Sequence, residues 1–523
     1  MCASAVRVRG SGAAADGGVA DLRPLVAVAA AVTVLVAVGA LPAWAGLAHH
    51  LALPPLDLFA DVRVLLAEAP SYPRFVAGLV ASVALRSLAL AAMLGTLDRR
   101  GMARSLGFYG VALVPALAAG VLGFAGVVVV YALFLWAAVG VAAAAGLGLG
   151  PLPWREWRWR HGARWVVTGY LAALLVVSLA SALGTELVQV ALVWVSAGLT
   201  AVTVRRLSGR GRWLRGRPRP VAAATLVVLA AVAPAPAPAP LPLPVPAPLP
   251  VRAEDARPRE GTLFLVPGIG ASSGTSTMFL LDPGALGFDC DQTAYFSYAG
   301  SGAGAPQRSA RCPITRGAPY VAEDTHRPMG ELSASFRAQI ADLAPPVVVI
   351  AHSQGGWIAA SALGGTPARA VDTVVLVGAF PRHQRGYVLD GTGAGLVGTD
   401  GMEALTAALR GTGATSFDPR APLPRQYLGA PGAVADLLAG GFPRHVQVAT
   451  VTAALDLPVM GTDWRLDGAS DLCPVNVDHS RLITSAEVHR LVNGVLDGRD
   501  HAGCGWWRRW PAHAFTAFGV PSP

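Results

Sequence analysis

Ser353 is the residue whose setting most plainly allows chemistry. It stands in Val347-Val348-Val349-Ile350-Ala351-His352-Ser353-Gln354-Gly355-Gly356, which reads as a buried strand, a tight turn and the start of a helix. A serine hydroxyl is a weak nucleophile until a base takes its proton, so the turn must expose the hydroxyl within reach of a histidine. Small residues at Ala351 and Gly355 permit so sharp a turn. The first amides of the following helix favour the negative charge that develops on an attacked carbonyl oxygen. The chemistry would be acyl transfer: serine attacks the acyl carbon, a histidine shuttles the proton, a carboxylate orients the histidine, and water releases the acyl group. In a chain with 60 glycines small-x-Ser-x-Gly alone says little, and the strand and helix around it supply its weight.

The elements that must hold this serine alternate in type. Short β-branched runs cover 262–266, 293–297, 347–350, 373–377, 446–454 and 472–477, and helical spacing covers 331–343, 355–363 and 485–496. Such alternation predicts a mostly parallel sheet with helices on both faces. The first strand ends in a glycine turn, Phe264-Leu265-Val266-Pro267-Gly268-Ile269-Gly270.

From about residue 261 to 498 the sequence resembles the α/β-hydrolase superfamily, in its bacterial lipase and esterase branch. Ala351-His352-Ser353-Gln354-Gly355-Gly356 looks like the lipase nucleophile elbow, with alanine replacing the more usual first glycine. The resemblance implies an α/β-hydrolase fold with Ser353 as nucleophile. It implies backbone donors from Ile269 and Gln354 to the oxyanion, with Pro267 standing where many relatives carry histidine. In this fold the triad runs serine, acid, histidine along the chain. His479 fits the base, following Val475-Asn476-Val477-Asp478 and preceding Ser480-Arg481-Leu482, much like the histidine loop of lipases. His489, His501 and His513 read as surface residues. His352 reads as a pocket support, because successive side chains diverge at an elbow.

Asp456, Asp463, Asp467 and Asp471 all lie between the elbow and His479. Asp456 is preferred. It follows the 446–454 strand on the catalytic edge, where strand C-termini place catalytic loops, and it precedes Leu457-Pro458-Val459 as in the acid loop of lipases. Asp471 is expected to open the next strand, at the opposite edge. The resemblance makes 381–443 a cap; its glycine-rich stretch at 391–401 suits either a mobile cover or a poorly ordered insertion. A second excursion runs over 297–328.

The rest of the chain is of another kind. With 53% apolar and 14% charged residues, it is too hydrophobic for an ordinary soluble protein. Apolar stretches long enough to cross a bilayer occupy 24–47, 75–97, 106–123, 126–147, 163–184 and 186–204, with a shorter seventh at 221–233. Arginines gather at 7–23, 99–104, 155–164 and 205–219, before the first span and after every second one and so all on one side, whereas the first intervening loop carries Asp57, Asp61 and Glu68. By the positive-inside rule the N-terminus is inside, and seven spans put everything after Pro234 outside. Arg86 falls mid-span, and a structural pairing with carbonyls or Glu186 is the simpler reading of so costly a charge. Trp154, Trp157, Trp159 and Trp165 read as an interfacial belt.

The expected organisation is a polytopic α-helical transmembrane domain at 1–233, a proline-rich linker at 234–257 whose 234–250 part favours polyproline II, and an α/β-hydrolase domain at 258–523. The net charge of +9 gives no nucleic-acid signal once split: about residue 251, 20 arginines and 8 acids precede and 21 arginines and 24 acids follow. Cys2 lies on the inner side. Cys290, Cys312, Cys473 and Cys504 follow the linker, an even number that suits two disulfides in an oxidising compartment, with Cys290 and Cys312 the preferred local pair. No cofactor is implied, and the histidines do not cluster at metal-ligand spacing. The Trp506-Trp507-Arg508-Arg509-Trp510 tail either packs on the domain or touches lipid headgroups.

The expected function is a membrane-anchored serine ester hydrolase, lipase or carboxylesterase, with its catalytic domain outside a bacterial plasma membrane. Its partners are an ester or lipid substrate and membrane lipids. An acyltransferase on envelope lipids uses the same residues; a non-catalytic membrane sensor or transport protein, in which the hydrolase-like domain only binds ligand, is the reading from a different class.

Overall fold

The computed structural model describes residues 57–93, 96–125, 256–304, 310–364, 370–379, 395–410, 417–427, 433–439, 441–452, 468–472 and 479–499, with isolated positions elsewhere. The apolar stretches at 126–147, 163–184 and 221–233, all of 186–204 but Trp194 and Gly198, the proline-rich linker, Cys473, Cys504 and the tryptophan tail lie outside the described residues.

Among the described residues six strands form one sheet: β1 (Thr262–Val266), β2 (Thr293–Tyr295), β3 (Val347–His352), β4 (Val371–Val377), β5 (Gln447–Val451) and β6 (Ser470–Asp471). Their order is β2-β1-β3-β4-β5-β6, and every neighbouring pair is parallel. β1 and β3 are buried along their whole lengths, which is why they read as unbroken apolar runs: helices cover both faces of such strands. A parallel sheet covered by helices fits an α/β-hydrolase-like fold. The chain passes from β1 outward to β2 and then crosses back to β3. The resulting switch point between β1 and β3 leaves a crevice at the strand C-termini, where ligands bind in sheets of this kind.

Helices α4 (Met329–Ala341) and α5 (Gln354–Leu363) flank β3 in sequence, and α9 (Ala486–Leu496) closes the described fold. Phe264 of β1 packs on Phe296 and on Phe336 of α4, ring centroids 6.3 and 5.4 Å apart. Each such ring taken fully out of water contributes roughly 1.5–3 kcal/mol. The interval assigned to the cap holds three helices, α6 (Leu396–Arg410), α7 (Pro422–Tyr427) and α8 (Ala433–Ala439), so the described part of it is neither a bare loop nor an irregular insertion.

Among the described residues three continuous helices precede the sheet: α1 (Asp57–Glu68), α2 (Tyr72–Met93) and α3 (Arg99–Ala125). Among the described residues one helix, Tyr72–Ala92, is long and apolar enough to cross a membrane. The segment expected as an acidic loop is instead α1. Its Leu58, Val62 and Leu66 make a buried stripe at helical spacing, and its Asp57 and Asp61 are buried as well. These two acids correct the expected pairing of Arg86. The Arg86 guanidinium donates from Nε to Asp61 Oδ2 at 3.0 Å and from Nη2 to Asp61 Oδ1 at 2.7 Å. Asp57 lies 3.9 Å away and accepts from the Tyr109 hydroxyl. A charge among apolar helices persists only when paired and hydrogen-bonded, and two carboxylates one helical turn apart meet that need.

The cap meets this helix group directly. The Tyr72 hydroxyl donates to Asp400 Oδ2 of α6 at 2.6 Å, and Gly395 N, just before α6, donates to Ala69 O at 3.2 Å.

Candidate active site

Ser353 has φ 55° and ψ −126° and is the only non-glycine residue with positive φ among the described residues. A side chain pays for that conformation by crowding its own backbone, so the surroundings must impose it. They do so from both ends: Ser353 N donates to Val377 O of β4, and its carbonyl accepts from Gly356 N in the first turn of α5, both at 2.9 Å. The strand turns into the helix so tightly that a Cβ on Gly355 would lie 2.7 Å from Val266 O and 2.8 Å from Pro267 O. Only glycine lets α5 start this close to the end of β1.

The turn after β1 lies against the serine. A Cβ on Gly268 would stand 3.0 Å from Ser353 Cβ, which brings the Gly268-Ile269 backbone to the nucleophile. Three bonds fix this turn. Tyr298 donates to Pro267 O at 2.7 Å, Gly270 N donates to Thr325 Oγ1 at 3.0 Å, and the Gln354 side chain donates from Nε2 to Thr325 O at 2.7 Å. The short 3-10 turn Ala322–His326 is thus a wedge joining the loop of Ile269 to the residue after the serine. Thr325, Tyr298 and the Gln354 side chain carry no signal in the sequence, because the bonds span tens of residues and lie within the 297–328 excursion. Cap residue Phe417 in turn rests edge-on against His326, centroids 5.6 Å apart.

His479 opens the 3-10 turn His479–Thr484 and is buried. Its ring lies over the end of β4: a Cβ on Gly378, which has φ +57°, would be 3.0 Å from both its Cε1 and its Nδ1. The His479 ring is also 4.7 Å from that of His352. The structure therefore gathers Ser353, Gln354, Ile269, His352 and His479 at the C-terminal ends of β1, β3 and β4. Asp456, Asp463 and Asp467 lie outside the described residues.

Two expectations are corrected. Asp471 does not open the last strand at the far edge of the sheet. It ends β6 opposite Thr450, one residue short of the end of β5, because β6 begins earlier than the apolar run suggested. Leu472 N and Val475 N then donate to Thr450 O and Thr452 O, leading the chain along the catalytic edge toward His479. His489 is not a surface residue either: it is 3% exposed, and its Nε2 lies 2.8 Å from Ile483 O. That contact joins α9 to the turn that carries His479. Cys290 and Cys312 are joined as a disulfide, which ties β2 to the excursion that supplies Thr325.

Burial, with His479 nearby, pushes the His352 imidazole down from 6.5 to about 3. Burial lowers His326 and His489 as well. Unfolded, these rings protonate near 6.5, so as the pH falls the unfolded chain takes up protons first. Their contribution to stability is complete above about pH 6.5 and is lost as the pH falls below that, the part from His352 completely only on approaching pH 3. Thermal melting followed over this window is expected to show falling stability with falling pH, and His352→Gln is expected to flatten the slope.

No protein-family model matches the chain, and no curated protein does. Two solved structures resemble it weakly. One is a candidate aryl esterase from Burkholderia cenocepacia, 15% identical over 46% of this chain and 92% of its own, with a TM-score of 0.28. The other is the esterase RhEst1 from Rhodococcus sp. ECU1013, 14% identical over 46% of this chain and 90% of its own, with a TM-score of 0.27. Likeness at this level carries no argument about the chain.

Proposed function

We propose that the chain is a membrane-anchored serine ester hydrolase, of lipase or carboxylesterase type, that works through an acyl-enzyme. The observation that carries this reading is Ser353 itself, held at positive φ between a buried strand and a helix. Strain of this kind persists where function requires it, and here it coincides with a glycine turn on one side and a buried histidine on the other. Ser353 attacks the acyl carbon. Backbone amides of Ile269 and Gln354 receive the oxyanion. His479 takes the serine proton and returns it to the leaving alcohol, and Asp456 orients His479. Water then repeats the sequence to free the acid. No cofactor or metal enters these steps.

We further propose that the hydrolase domain lies outside the plasma membrane and draws on ester or lipid substrates there. Two observations support that side. The disulfide suits an oxidising compartment. The cap reaches the α1–α2 junction at Ala69 and Tyr72, which the arginine distribution places outside; this support does not depend on the short stretch at 221–233. A membrane-impermeant fluorophosphonate probe applied to intact cells tests both parts. Labelling of wild type and none of Ser353→Ala is expected. Labelling only after lysis would overturn the location, and a well-folded wild type that stays unlabelled in lysates would overturn the activity.

A further inference from the structure

His352 ends β3, directly before the nucleophile, and is buried. Its Nε2 lies 3.1 Å from the main-chain oxygen of His479. A carbonyl oxygen can only accept, so Nε2 must carry the proton, and a neutral ring then leaves Nδ1 as a lone pair. The side chain therefore reaches across to the backbone of the next catalytic loop. At the other end of the same 3-10 turn the buried His489 makes the equivalent contact with Ile483 O at 2.8 Å. Between them Leu482 is fully buried, and its Cδ1 would be 2.9 Å from a Cβ on Gly378. The turn is thus a short rigid piece with its far end pinned by His489 and its near end held by His352.

We propose that His352 is a positioning residue for the reaction: its neutral imidazole, protonated on Nε2, clamps the carbonyl of His479 and so sets where the base stands relative to Ser353. The inference rests on the reading of Ser353 and His479 as nucleophile and base. It needs a donor at one place rather than a charge. The neutrality of the ring agrees with this role, because burial and His479 hold its protonation far below neutral pH. A misplaced base weakens the proton transfer that accompanies attack and leaves substrate binding alone. The loss should therefore fall on kcat, since small displacements in reacting geometry are costly.

Three variants separate the clamp from simple packing. His352→Phe keeps the ring without the donor. His352→Gln offers an amide N–H near the place of Nε2, whereas His352→Asn offers one only near Nδ1. Phe and Asn are expected to lower kcat for a chromogenic p-nitrophenyl ester by about 10- to 100-fold with KM within about twofold, and Gln to restore most of it. Wild-type kcat in the Phe variant would overturn the proposal, as would Gln performing no better than Asn. If Phe fails to fold, as a melting curve would reveal, the Gln and Asn pair still decides. A second reading is independent of turnover. In histidine-labelled full-length protein in detergent, the ¹⁵N shifts of His352 at pH 7 should report a protonated Nε2 and a bare Nδ1; the other tautomer or a doubly protonated ring would overturn the clamp. A wild type that shows the expected tautomer yet hydrolyses no ester would instead overturn the enzymatic reading and leave the clamp standing.

Discussion

Ser353→Ala is expected to lower kcat/KM for a simple ester by about 10⁴- to 10⁶-fold while leaving the protein folded. His479→Ala should cost as much, and the double variant no more than either alone. Non-additivity follows from the chemistry. In this chemistry the histidine acts by taking the serine proton and the serine attacks as that proton leaves, so removing one partner idles the second. The contacts of Gly268 with Ser353 and of Gly378 with His479 place both residues at the same edge of the sheet, which a shared step requires. Steady-state hydrolysis of a p-nitrophenyl ester by the three purified variants measures the effect. Losses that simply multiply in the double variant would show that the two residues do not act as a unit.

The second large effect concerns the carboxylate. Asp456→Asn is expected to lower kcat by about 10⁴-fold, because an asparagine of the same shape favours the wrong tautomer of His479 and cannot stabilise its cation. Asp471→Asn should cost less than about tenfold if its role is to end β6 beside Thr450, where the sheet register puts its backbone. The comparison is sharp because the structure brings Asp471 to the same level of the sheet as the elbow: Asp471 pairs with Thr450, Thr450 with Leu376, and Leu376 with Ala351. Distance along the strand therefore no longer argues against it. What favours Asp456 is its place beyond β5, the strand nearest β4 and the Gly378 backbone beneath His479. Parallel kinetics on the two variants decide between them, and a large loss in Asp471→Asn alone would move the acid to β6.

Strands buried on both faces were the most legible part of the chain. Thr262–Val266 and Val347–His352 are apolar at nearly every position and buried along their whole lengths. Strands near the edge were less legible. β2 and β6 keep three and two residues of ladder, and their ends are set by the chain beside them and not by their own side chains. The elbow was legible because its constraint is local: a serine, two glycines and a strand within ten residues. The loop of Ile269 was legible for the same reason, but its fixing by Thr325 and Tyr298 was not, since those hydrogen bonds join residues 55 and 31 positions apart.

The misread parts have physical causes too. Asp57 and Asp61 looked like solvent-facing loop acids because charge counts for more than spacing in a membrane-segment reading. Their i, i+4 placement beside Leu58, Val62 and Leu66 was the available clue to a helix with a buried polar face. His489 looked exposed because its helix carries Glu487 and Arg490 on either side, yet a carbonyl at Ile483 provides the partner that a buried imidazole needs. The helix Leu396–Arg410 was hidden by Gly398 and Gly401, which lower helix propensity by about 1 kcal/mol each. Its packing on the α1–α3 group outweighs that cost, and it turns the expected cover into a contact between the two parts of the chain.

Covalent labelling of the purified full-length protein with a fluorophosphonate, followed by peptide mapping in a mass spectrometer, tests the role of Ser353 most directly. One adduct per chain, on the peptide containing Ser353 and absent from Ser353→Ala and much slowed in His479→Ala, is the expected result. A folded protein that takes up no probe, or that carries it on another serine, would contradict it.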